Sequence, residues 1–166
     1  APRAAAFDKR IKRVVGWSIF PDFFDVIICD HPKPMRKTID FMFRRGLDAP
    51  LNKLYTKMME KEEIIKWNLL HGMYAYDAKT PCGYVKKIRR FTLKGIADRI
   101  DQDVLIIGAN KDHFIMPYLF HEEYDMLQNA RSLTLRLLTD KQNAGAHCNV
   151  GNSKLVLDSI IKWVEC

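Results

Sequence analysis

Runs and alternations of apolar residues mark three strand-like segments, with a long stretch of helical spacing between the first and the second. Ile11-Lys-Arg-Val-Val-Gly-Trp-Ser-Ile19 is rich in β-branched and aromatic residues and stops at the Pro21-Asp22 breaker, so it reads as a strand. Asp103-Val-Leu-Ile-Ile-Gly108 is a continuous apolar run ending at glycine, the pattern of a strand buried on both faces of a parallel sheet. Ser132-Leu-Thr-Leu-Arg-Leu-Leu138 alternates, with Leu133, Leu135 and Leu137 expected inward, and suits a strand near a sheet edge. Tyr118 to Ala130 carries Leu119, Glu123, Met126 and Leu127 at helical spacing. Asn152 to Val164 carries Leu155, Val156, Ile160 and Trp163 as one stripe. The order is βαβα, which predicts an α/β fold with a parallel sheet and right-handed crossovers.

Between Pro32 and Ile100 the pattern is helical throughout. Met35 to Arg45 and Leu51 to Glu60 are two predicted helices, and a third from Glu62 to Tyr76 places Ile65, Leu69, Met73 and Tyr76 on one side. Thr80-Pro81 has the form of an N-cap followed by proline in the first turn, and Thr92 is expected to cap a further helix through Ile100. Residues 32–100 are therefore expected to form a helical insertion in a core built from residues 1–31 and 101–166. Loops leaving the carboxyl ends of parallel strands build the pockets of such folds, so the insertion reads as a lid.

Composition narrows the picture only a little. At 166 residues and 48% apolar, the chain is long enough to bury one real core and too apolar for disorder. The 27 Lys and Arg exceed the 20 Asp and Glu by 7, which favours anionic partners without naming one. Lys9-Arg-Ile-Lys-Arg13 and Lys86-Lys-Ile-Arg-Arg90 read as solvated faces, each with an isoleucine turned inward. Cys29, Cys82, Cys148 and Cys166 show no repeated spacing, which points to a reducing, cytoplasmic setting and gives no ligand set for a metal. No apolar run is long enough to span a bilayer, and no membrane partner is expected.

Two segments carry candidate chemistry. Gly108-Ala-Asn-Lys-Asp112-His-Phe-Ile-Met-Pro117 follows the second strand, and Gly145-Ala-His147-Cys-Asn-Val-Gly151-Asn follows the third. A carboxylate and an imidazole on neighbouring strand ends can meet as acid and base, the acid accepting from Nδ1–H while Nε2 takes a proton. Asp140 lies in the histidine's own loop and Asp125 falls inside a helix, so Asp112 is the preferred acid. Cys148 adjoins His147 and reads as inert packing rather than a nucleophile, and His121-Glu-Glu-Tyr-Asp125 lacks the second histidine of a zinc-protease helix. Trp17 and Phe20 at the exit of the first strand, and Trp67 from the helical stretch, are candidate substrate-lining residues. No Gly-x-Ser-x-Gly turn occurs.

The segment Asp103 to Pro117 resembles the strand-then-acid segment of the α/β-hydrolase superfamily, and Ala144 to Asn152 resembles its histidine loop. The second match is similar to a lid-bearing branch that includes dienelactone-hydrolase-like and prolyl-oligopeptidase-like enzymes. In that branch a segment similar to Ala1 to Lys12 follows directly on the nucleophile turn. The resemblance implies the C-terminal half of a serine-dependent hydrolase, with Asp112 as triad acid, His147 as general base and the serine upstream of Ala1. It implies cleavage of an ester, amide, lactone or activated carbon-carbon bond in a small acyl substrate, with no cofactor, and an inert fragment where the serine is missing. An edge strand without its neighbour further implies pairing with the chain's own N-terminal half or self-association. The competing expectation is a non-catalytic module whose basic helices bind an anionic partner, nucleic acid being the less favoured one.

Overall fold

A computed structural model describes residues 1–29 and 31–166. Two compact units emerge, one formed by Ala1–Asp22 with Thr92–Cys166 and the other by Phe23–Phe91.

The first unit is built on a three-stranded sheet of β1 (Arg13–Trp17), β2 (Asp103–Ala109) and β3 (Ser132–Leu138), in that spatial order and parallel throughout. Helix α1 spans Pro2–Ala5. The register Val14↔Val104↔Leu133 sends one set of side chains to one face, where they pack with Ala5, Ala97, Phe120 and Leu127. The opposite face, carrying Val15, Leu105, Ile107 and Leu138, is covered by Val156, Ile160 and Trp163. Strand β2 is central and buried on both sides, as its unbroken apolar run predicts. Fully burying a residue such as Ile106 or Ile107 contributes roughly 1.5–3 kcal/mol. On β3 the expectation fails at one position. Leu133 and Leu135 turn inward, but Leu137 is 41% exposed and Leu138 is buried on the other face. Period-two alternation places Leu137 with Leu133, yet at the strand's end its cover is incomplete.

The second unit is all-helical, with α2 (Phe23–Ile28), α3 (Lys33–Arg44), α4 (Asp48–Lys61), α5 (Glu63–Ala75) and α6 (Pro81–Ile88) around Ile39, Leu51, Tyr55, Val85 and Ile88. The Thr80 hydroxyl accepts from the Gly83 N–H at 3.1 Å, so the predicted cap of α6 is present. Ile65, Leu69, Met73 and Tyr76 pack against this core as their spacing requires.

Thr92 does not start an α-helix. It forms an antiparallel bridge with Asp22, and the Leu93 N–H donates to the Pro21 carbonyl. Gly95 at φ +77° then breaks helical continuity, leaving one 3₁₀ turn at Ala97–Arg99. The first unit is completed by α7 (Pro117–Met126), between β2 and β3, and α8 (Ser153–Glu165), capped by Asn152 through the Leu155 N–H at 3.2 Å.

Candidate active site

Asp112 lies just past the end of β2, 6% exposed. Its Oδ1 accepts from the backbone N–H groups of Phe114 (2.9 Å) and Ile115 (2.8 Å), a turn that leads into α7 at Pro117. The same carboxylate also meets an imidazole, because His147 Nδ1 stands 2.9 Å from Oδ2 and 3.0 Å from Oδ1. A carboxylate only accepts, so Nδ1 carries the proton and Nε2 is the ring nitrogen left to take one. The side chains are 3% exposed for Asp112 and 30% for His147, so the carboxylate is shielded while the imidazole reaches the surface.

The loop carrying His147 needs unusual backbone. After β3, Thr139 and Gln142 form a capping box around the 3₁₀ turn Asp140–Gln142, and Asn143 closes it at φ 54°. His147 opens a second short turn in which Cys148 and Asn149 are both at φ 52°. Gly151 follows at φ +111°, a conformation L side chains rarely adopt. Gly145 serves differently: a side chain there would put its Cβ 2.6 Å from the Asp140 nitrogen, so it permits close packing.

That packing is part of a brace between the two loops. The Lys111 N–H donates to the Gly145 carbonyl at 2.8 Å, the Asn110 amide donates to Asp140 at 2.8 Å, and the Lys111 ammonium meets the other Asp140 oxygen at 2.8 Å. Asp140, the rival acid, is thus occupied in structure. The Lys111 ammonium, and then the Asn110 amide, hold its carboxyl down to about 2. Asp125 is exposed on α7.

The remaining candidates are dispersed. Trp17 ends β1, half-buried, and its indole N–H donates to Asn149 Oδ1 at 2.9 Å. Phe20 is half-buried in the segment that leaves β1. Trp67 belongs to the helical unit, where it is 58% exposed and stacks on His71 with ring centroids 5.2 Å apart. Cys148 is exposed, and its N–H donates to Ser18 Oγ at 3.1 Å.

Sequence reasoning missed Ser18 and Asn149, the partners that fix the histidine turn. It also missed Phe114, whose ring meets that of His147 edge-on at 5.0 Å. Their only local signal is proximity to the motifs, since the contacts join residues far apart in the chain.

No family model matches the chain. Among curated proteins, Hydrolase LUC6 from a Fusarium species is 23% identical over 171 residues, covering 97% of this chain and 39% of its own length. The chain thus spans well under half of that relative. Among solved structures, an alpha/beta hydrolase enzyme from a Medee basin deep-sea metagenome library superposes with a TM-score of 0.52 at 17% identity, over 96% of this chain and 58% of that one. The enol-lactonase from Burkholderia xenovorans gives 0.52 at 16% identity, over 99% and 61%. With its parallel sheet and flanking helices, the chain has the α/β-hydrolase fold over a stretch corresponding to 58–61% of those neighbours.

Proposed function

We propose that this chain is the C-terminal part of a serine-dependent α/β-hydrolase, in which His147 is the general base and Asp112 the acid that orients it. The observation carrying this reading is the contact of 2.9 Å between the buried Asp112 carboxylate and His147 Nδ1 at the carboxyl ends of adjacent parallel strands. A serine supplied by the polypeptide preceding Ala1 attacks the substrate carbonyl. His147 Nε2 accepts its proton and returns it to the leaving group, and Asp112 stabilises the imidazolium formed in between. The scissile bond is an ester, amide, lactone or activated carbon-carbon bond of a small acyl substrate, and the lactone class gains support from the enol-lactonase neighbour. Trp17 and Phe20, both in the sheet-containing unit, are the acyl-lining residues of this reading. The chemistry needs no cofactor. Without the serine the chain alone is inert, and its β1 edge pairs with the N-terminal half of the same protein.

The competing reading, a basic module for an anionic partner, loses support from local pairing. Lys9 meets Asp101, Arg10 meets Asp8 and Lys86 meets Asp48, so both basic clusters are partly neutralised within the fold. Hydrolysis of p-nitrophenyl acetate by the full-length protein tests the proposal. Turnover that collapses in His147→Ala, with folding retained, is the expected result. Turnover that survives that change overturns it.

A further inference from the structure

We propose that Asn149 is a positioning residue that sets the aim of His147, an inference that rests on the acid-base reading above. Asn149 is fully buried, 0% exposed. Its amide joins elements that only the fold brings together: Oδ1 accepts from the Trp17 indole at the end of β1, and Nδ2 donates to the carbonyls of Ala144 at 2.6 Å and Gly108 at 3.4 Å. The ends of β1 and β2 and the loop after β3 thus converge on one side chain.

The amide is polarised in the one sense that fits. A carbonyl oxygen faces an N–H, and an NH₂ faces two carbonyls, so neither a carboxylate nor an aliphatic side chain can replace it. Asparagine is also among the few residues other than glycine that tolerate its φ of 52°. Cys148 shares that left-handed turn, and its N–H is fixed on Ser18 Oγ. His147 is therefore anchored on two sides, through its own Nδ1 on Asp112 and through the turn that follows it. The first contact fixes the tautomer. The second fixes where the ring stands, and with it the line from Nε2 to a reacting hydroxyl, on which rate depends steeply.

The test uses the full-length protein with p-nitrophenyl acetate, with active sites counted by the endpoint of fluorophosphonate labelling. Asn149→Gly keeps the left-handed backbone and removes the amide. It is expected to lower kcat per labelled site by about 10- to 100-fold with KM changed little. Trp17→Phe removes the indole N–H together with part of the ring, and a smaller fall in kcat with KM little changed is expected, whereas a merely lost acyl contact would raise KM instead. This variant decides the matter should Asn149→Gly fail to fold. Fewer labelled sites with wild-type turnover at each would show a merely structural role and overturn the inference. Full activity in His147→Ala would instead overturn the acid-base reading on which it rests.

Discussion

Asp112 and Glu123 are both buried carboxyl groups of the sheet-containing unit, one in the loop after β2 and one on the inner face of α7. Asp112 receives two backbone N–H groups and the imidazole of His147. Neither oxygen of Glu123 has a hydrogen-bond partner among the described residues, and burial pushes its pKa up to about 8. The loop has been built around its carboxylate, whereas the helix face keeps its carboxyl neutral through much of the physiological range. Burial alone does not mark a candidate acid. What marks it is the set of donors that the surrounding backbone and side chains aim at it.

The largest effect that separates the two groups is expected at the pair itself. His147→Ala in the full-length protein should lower kcat for p-nitrophenyl acetate by about 10³-fold or more, with little change in the unfolding midpoint. Asp112→Asn should cost about 10²- to 10⁴-fold, because an amide no longer fixes the imidazole tautomer or stabilises its charged form. Rates of these variants over a pH series check both expectations. A carboxyl at position 112 that served only as a turn cap would leave the rate within a few-fold.

Glu123 should speak through stability instead. Its folded pKa of about 8 lies above its ordinary value of 4.5, so the folded state binds a proton that the unfolded state releases. The contribution of this group to stability is then fully present at or below that ordinary value and falls as pH rises toward the folded pKa, by a total on the order of 3–5 kcal/mol. Glu123→Gln, a neutral isostere, should flatten this slope in denaturant titrations at pH 5 and pH 8. An unchanged slope would show that the carboxyl has found a partner.

The smallest effect belongs to Asp140. Its pKa, held near 2 against an ordinary 3.8, means that the bridge to Lys111 is intact at neutral pH and is released as pH falls through that window. Asp140→Asn should remove this acid sensitivity and change kcat less than about tenfold, since exposed ion pairs contribute little.

Much of this contrast was legible in the residues. Asp103 to Gly108 announced a doubly covered strand because its unbroken apolar run is short, β-branched and stopped by glycine. The acid and histidine stood where strand ends would bring them together. Glu123 also sat visibly in the apolar stripe of its helix, although nothing local told that it would lack a partner. Helix α2 was too short for its period to register. Thr92 misled because a capping residue is a local signal, and the bridge to Asp22 that redirects it is not local. Asn149 escaped for the same reason, since its value depends on Trp17, 132 positions away.

The central claim is that Asp112 and His147 serve a nucleophile carried by the polypeptide preceding Ala1. Its most direct test is to label the full-length protein with a fluorophosphonate and map the adduct by mass spectrometry, in the wild type and in His147→Ala. One modified serine upstream of Ala1 is expected, labelled rapidly in the wild type and far more slowly without the imidazole. An adduct on Ser18, or labelling indifferent to His147, would contradict it.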